Sequence, residues 1–309
     1  MIIDILLLLV GLGLVVFGSD ILVDGSSAIA RKSGVSEFVI GLTIVGFGTS
    51  LPELVVSITG AIEGSADISI GNIVGSNTLN ALLVLGSASV IAPIAVNRLN
   101  LTRDIPMFFG ITLFFVLLTT KGYLNWIDGI LMLAVFTVYL VICFKSGKAD
   151  IEETPKREIG LFMAILMVLG GLAGLVFGGR LFVDHSVNFA REVGVSEKFI
   201  AITLLAGGTS MPELVTTIVA AAKKKGQLAL GTIIGSNVFN ILFVLGIASI
   251  VTRLGTGGMA WVDFTALLAS TVILALCAYI GKTARINKLE GAIMILGYAA
   301  YIGWLISSI

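Results

Sequence analysis

The chain has 309 residues, 57% of them hydrophobic and only 12% charged, with 19 basic side chains balancing 19 acidic ones and a mean hydropathy of +1.08. That composition excludes a pair of soluble domains, which the length alone would allow, and identifies an integral membrane protein.

Apolar runs of roughly 18 to 25 residues, the length a helix needs to cross a bilayer core, recur along the chain. Ten spans are predicted, near residues 2–30, 38–62, 69–92, 104–120, 126–144, 159–190, 198–222, 227–251, 261–280 and 289–307. The first opens MIIDILLLLV, with Asp4 and no basic residue, so it reads as a span and not as a cleaved secretory signal. The second contains GFGTSLPE, whose Pro52 predicts a kink, and the third contains GNIVGSNTLN. Residues 145–158, KSGKADIEETPKRE, read as a polar connector, and the five remaining spans follow. Cys143 and Cys277 both fall in spans, with no partner nearby in sequence, so no disulfide or redox role is expected.

The second half repeats the first. Gly41 to Gly86 aligns with Ala201 to Gly246 at an offset of 160 residues, with 20 of the 46 positions identical. The match extends upstream, where Gly18 to Phe38 answers Gly178 to Phe199. The chain therefore divides into 1–144, a first five-helix repeat, the connector 145–158, and 159–309, a second repeat. One set of loops holds fourteen basic residues, including Arg31, Arg98, Lys145, Lys223 and Lys288, and the other holds only Lys121, Arg191, Lys198 and Arg253. The basic side is expected to be cytoplasmic, which puts both termini outside and the connector inside. An odd number of spans per repeat inverts the second copy. Loop charge reverses accordingly, from Glu63, Gly64 and Ser65 to Lys223, Lys224 and Lys225.

The polar residues conserved between the copies predict a site. Pro52 has no amide hydrogen and crowds the carbonyl four residues earlier, so bare backbone oxygens are expected around Gly46 to Thr49. At helical spacing Gly46, Thr49, Ser50 and Glu53 share one face, and Ala206, Thr209, Ser210 and Glu213 repeat the arrangement around Pro212. The third and eighth spans add Ser76 with Asn80 and Ser236 with Asn240, each pair four apart, beside Asn77 and Asn237. Gly71 with Gly75 and Gly231 with Gly235 are spaced to let these helices approach the kinked ones closely. An ionised glutamate in hydrocarbon costs several kcal/mol or more unless it meets a cation, a proton or a base. These four helices supply no base, which leaves a cation or a proton. Two carboxylates among hydroxyls, amides and carbonyls form the all-oxygen shell that hard cations prefer, with a charge matching one Ca2+ or two Na+. A helix break with a protonated glutamate, and Ser and Asn acting as interhelical glue, are the structural alternatives. Asp20, Asp24, Asp184 and His185 read as helix-end or structural groups. The glycines of the first and sixth spans, among them Gly11, Gly18, Gly171 and Gly178, are expected either to smooth those helices for sliding against the core or simply to allow close packing.

At these residues the chain resembles the calcium/cation antiporter superfamily, above all its prokaryotic sodium/calcium exchangers. GTSLPE (Gly48 to Glu53) and GTSMPE (Gly208 to Glu213) look like that family's two alpha repeats, and GNIVGSNTLN and GTIIGSNVFN like their second halves. The resemblance implies an all-α membrane protein of ten transmembrane helices in two inverted five-helix repeats, with helices broken at the midplane. It implies Ca2+ bound by Glu53, Glu213 and the carbonyls of Thr49 and Thr209. Na+ would be held by these groups with Ser50, Ser76, Ser210, Ser236 and the carbonyls of Gly46 and Ala206, while Asn80 and Asn240 line the centre. Asn240 stands where potassium-dependent relatives carry aspartate, which leaves two carboxylates and speaks against potassium co-transport. The implied function is Na+/Ca2+ exchange by alternating access in the cell membrane. The implied partners are the two ions and the lipid bilayer, with no cofactor and no nucleic acid, the protein acting as a monomer. A proton/calcium exchanger is the alternative and a channel a further one. An enzyme fits poorly, because His185 is the only histidine and there is no HExxH.

Overall fold

Among the described residues, long apolar stretches with few interruptions form eight helices that are long enough to cross a bilayer core, and one bent pair of helices is long and apolar enough to make a ninth. The computed structural model describes residues 2–64, 66–146, 159–194, 206–257, 259–280 and 285–307. In chain order the helices are α1 (Ile2–Ser33), α2 (Glu37–Thr49), α3 (Leu51–Ile62), α4 (Ile68–Ile91), α5 (Asn100–Thr119) and α6 (Trp126–Ser146). The second half gives α7 (Leu161–Glu192), α8 (Met211–Ala222), α9 (Gly226–Val251), α10 (Trp261–Ile280) and α11 (Lys288–Ser307). Nine of the ten predicted spans thus have a matching helix or bent pair. The start of the seventh, 198–205, lies outside the described residues, as does 147–158 of the connector.

The expected kink is present. α2 and α3 form a helix pair bent by 49° at Ser50, and Pro52 sits in the first turn of α3, where a helix does not need its missing N–H. Pro212 occupies the same place in α8.

Burial separates centre from perimeter. The most apolar windows of α4 and α9 are 72% and 83% buried, against 22% and 28% for α1 and α7, so the helices carrying Ser76, Asn80, Ser236 and Asn240 are central. The two halves interlock around them. α4 packs on α11 of the other half, where a Cβ on Gly86 would meet the Gly291 carbonyl at 2.9 Å. Its counterpart α9 packs on α6, where a Cβ on Gly129 would meet the Gly246 carbonyl at 2.5 Å. Short antiparallel ladders cross in the same way: β1 (Ile94–Ala95) pairs with β4 (Arg285–Ile286), and β2 (Tyr123–Leu124) with β3 (Leu254–Gly255).

The glycines of α1 and α7 do not face the core as expected; most of them face each other. Gly11 lies on Gly178, Gly18 on Gly171 and Gly25 on Ala164, an antiparallel register in which a Cβ on Gly18 would come within 2.8 Å of the Gly171 carbonyl. With main chain against main chain, α1 and α7 form one close-packed pair. Asp4 and His185 join it 3.0 Å apart at one end.

The amphipathic pattern gave no sign of the π-helical turns at Gly41–Val45, Asn80–Val84, Asn100–Asp104 and Phe239–Val244. Two of them occupy corresponding places in α4 and α9 and contain Asn80 and Asn240. A π turn inserts a residue and re-aims the side chains beyond it, a device that recurs at functional sites.

Candidate functional site

The bend at Ser50 and the start of α8 bring two helix N-termini together deep in the molecule. Glu53 and Glu213 lie in those first turns, both fully buried, where the amide ends of the helices favour negative charge. Each carboxylate is gripped from the opposite half: Ser50 donates to Glu213 Oε1 at 2.9 Å, and Ser210 donates to Glu53 Oε1 at 3.2 Å. The two acidic motifs therefore build one cage and not two.

α9 closes a second side. Its Ser236 lies 3.4 Å from the Thr49 hydroxyl and donates to the Gly46 carbonyl at 3.1 Å. That carbonyl also accepts from the Ser50 amide at 3.2 Å and the Thr49 hydroxyl at 3.3 Å. The expectation of a bare oxygen at Gly46 is corrected: the Thr49 hydroxyl and the Ser50 amide of its own helix, with the Ser236 hydroxyl from α9, turn onto it. Gly46 is also needed for space, since a Cβ there would stand 2.9 Å from the Ser236 amide nitrogen.

Ser76, Asn80 and Asn240 are buried on α4 and α9 as expected, and Thr209 lies just before Ser210. Ala206 begins the short helical turn Ala206–Gly208 that precedes the break. Among the described residues the polar atoms without a hydrogen-bond partner include Glu53 Oε2, Glu213 Oε2, Thr209 Oγ1, Asn80 Oδ1 and Asn240 Oδ1. Buried polar atoms are paired in the great majority of cases, so the open oxygens, one on each crossed carboxylate among them, make this a candidate site for something that accepts electron pairs. No group of three or more His, Cys, Asp or Glu side chains that could hold a metal occurs among the described residues. The shell is oxygen-only and carries two carboxylates, suited to Na+ or Ca2+ and unsuited to softer metals. A cavity of about 290 Å³ reaches Ser210 and is walled by Gly208, Met211, Phe182, Val183 and Tyr298.

Several partners lie beyond what spacing revealed. Asn72 donates to Ser57 at 3.0 Å and to the Glu53 carbonyl at 3.3 Å, and Ser69 donates to the Ser57 carbonyl at 2.6 Å, tying α4 to α3. The duplication hides this tie because Thr232 replaces Asn72 and Ala229 replaces Ser69 in the other copy. Asn77 and Asn237 each donate to the other's main-chain carbonyl, at 2.9 and 3.3 Å. Phe47 stacks on Phe239 with centroids 4.6 Å apart, and Phe136 and Phe243 complete the aromatic layer. Asp20 and Asp24, read as structural, pair with Lys223 at 2.7 and 2.9 Å. The close approach expected of Gly231 and Gly235 is present, against the main chain of Phe38 and Leu42. For Gly71 and Gly75 the corresponding partners fall within 195–205, outside the described residues.

The family model described as sodium/calcium exchanger protein matches residues 3–145 and 163–307. A putative antiporter CaxA of Alkalimonas amylolytica is 36% identical over all of both chains. The sodium/calcium exchanger MaX1 of Methanosarcina acetivorans is 33% identical, with 97% of each chain covered. Among solved structures, the sodium-calcium exchanger NCX_Mj soaked with zero Na+ and Ca2+ superimposes with a TM-score of 0.87 at 34% identity, covering 98% of this chain and 99% of that one.

Proposed function

The chain belongs to the sodium/calcium exchanger protein family, and from that premise we propose how this molecule carries out the exchange of Na+ for Ca2+ across a membrane. Glu53 and Glu213 form a shared anionic pocket that holds either one Ca2+ or Na+ ions, with oxygens from Thr49, Thr209, Ser50, Ser210, Ser76, Ser236, Asn80, Asn240 and Ala206 completing the shell. The observation that carries this is the pair of crossed serine-to-glutamate hydrogen bonds, with one oxygen of each carboxylate left open. Because the same two charges serve both cations, occupancy by one excludes the other, which is the physical basis of counter-transport. Purified protein in liposomes is expected to take up isotopic Ca2+ only against a Na+ gradient. Uptake driven equally by a pH gradient without Na+, or with no counter-ion at all, would overturn the assignment.

The chain is read as ten transmembrane helices in two inverted repeats, 1–144 and 159–309. The crossed ladders support this. β1 and β3 are equivalent by the duplication, yet β3 pairs with β2, which lies one membrane-spanning helix away from β1. Equivalent loops therefore belong to opposite ends of the molecule. With the basic loops inside, the termini face out, the 145–158 connector faces the cytoplasm, and the monomer contains a whole site.

Alternating access rests on an asymmetry between the halves. α1 packs along α8, with Ser19 and Thr216 hydroxyls 3.2 Å apart and Lys223 bound to both Asp20 and Asp24. The mirror residues are Arg180, Asp184 and Glu63, with Lys223 replaced by an acid and Asp20 by a base. Among the described residues Glu63 and Arg180 form no ion pair, and α7 makes no comparable contact with α3. The molecule is closed at the Lys223 end, on the cytoplasmic side, and the Glu63–Arg180 pair forms when the other end closes. Lys223→Gln is expected to move the balance roughly threefold to tenfold toward the inward-open form, and Glu63→Gln the opposite way. Side-specific labelling of a single cysteine beside Ser210 reads this directly. Shifts of the same sign in both variants would exclude the paired latches.

A further inference from the structure

A carboxamide has one end that accepts and one that donates, and only the accepting end can face a cation. Something must therefore fix which end of Asn240 is turned to the pocket. The hydrogen bonds around it run in a chain whose polarity begins at a main-chain atom. The Asn237 carbonyl can only accept, and Asn77 places its Nδ2 on it at 2.9 Å. That leaves Asn77 Oδ1 as the end facing Asn240, and an oxygen there can only accept. Asn240 answers with Nδ2 at 3.0 Å. Its Oδ1 is thereby turned away from Asn77, buried and without a hydrogen-bond partner, as are Glu53 Oε2 and Glu213 Oε2.

We propose that Asn77 is a positioning residue for ion binding, which locks the Asn240 amide with its oxygen toward the cation. The inference rests on the reading of Asn240 as a pocket residue. Asn77 touches no ion; it acts by denying Asn240 the flipped orientation, in which an NH2 would repel Na+ and Ca2+. The mirror lock is open in this structure: Asn237 donates to the Asn77 carbonyl at 3.3 Å, but its Oδ1 and both amide atoms of Asn80 have no partner. The fixed oxygen is thus the one on α9.

The test is a cycle of variants read by calcium binding to the purified full-length protein, from the half-saturating concentration in a Ca2+-dependent thermal shift. Asn77→Leu is expected to raise that concentration tenfold or more. Asn77→Asp, which as the protonated acid can donate to the Asn237 carbonyl and accept from Asn240, is expected to stay within threefold of the wild type. In an Asn240→Asp background both terminal oxygens accept and there is nothing to orient, so Asn77→Leu should then cost less than threefold. Should Asn77→Leu not fold, Asn77→Ser, too short to reach Asn240, takes its place. An equal cost in both backgrounds, or no cost in either, overturns the lock. A failure of the underlying site reading looks different: Asn240→Leu would itself bind Ca2+ like the wild type.

Discussion

Glu53→Gln and Glu213→Gln are each expected to abolish sodium-driven calcium flux in liposomes while the protein still inserts and purifies as a single species. Glutamine keeps the shape of the side chain and can still accept a hydrogen bond from Ser210 or Ser50, so the straps between the halves survive. What disappears is one of two negative charges in a fully buried pocket. Removing one partner of a buried ionic contact costs about 3 to 5 kcal/mol, which corresponds to roughly a hundredfold to several-thousandfold weaker Ca2+ binding. Both variants should fail, because both carboxylates serve one ion. Wild-type flux in either variant would remove that residue from the pocket.

The second large effect is on folding. Gly235→Ala is expected to cost about 3 kcal/mol or more and to leave little folded protein, because a Cβ there runs into the main chain of Leu42, which no rotamer change can clear. Gly231, against the carbonyl of Phe38, should behave alike. Gly13→Ala is the control, since a Cβ at Gly13 meets nothing within 4 Å. Thermal unfolding followed by size-exclusion chromatography separates the two cases; equal melting temperatures for the three variants would show that α9 can move off α2 without loss.

The acidic motifs, the bend at Ser50 and the oxygen-rich faces of α4 and α9 were legible in the sequence. Each depends on local chemistry, a proline, a glutamate and a four-residue spacing, and the duplication states each one twice. What stayed hidden depends on how distant segments meet. Nothing in GFGTSLPE says that Ser50 serves Glu213 instead of Glu53 three positions away in its own repeat; that follows from the meeting of the two halves. The burden on the Gly46 carbonyl was hidden for the same reason, since Ser236 arrives from the other repeat. The seam between α1 and α7 shows the limit of composition: a row of glycines announces close approach but not to which neighbour. The Asn72 tie leaves no mark in the duplication, because the second copy carries Thr232 and Ala229 in place of Asn72 and Ser69.

The exchange of partners between α4 with α11 and α9 with α6, stitched by two ladders that each borrow a strand from either repeat, means that neither repeat owns a complete interior. A severed half would leave its most deeply buried helix stripped along one flank and two strand edges without company. Such a fragment has no resting state of its own, so the molecule is expected to melt as a single cooperative body.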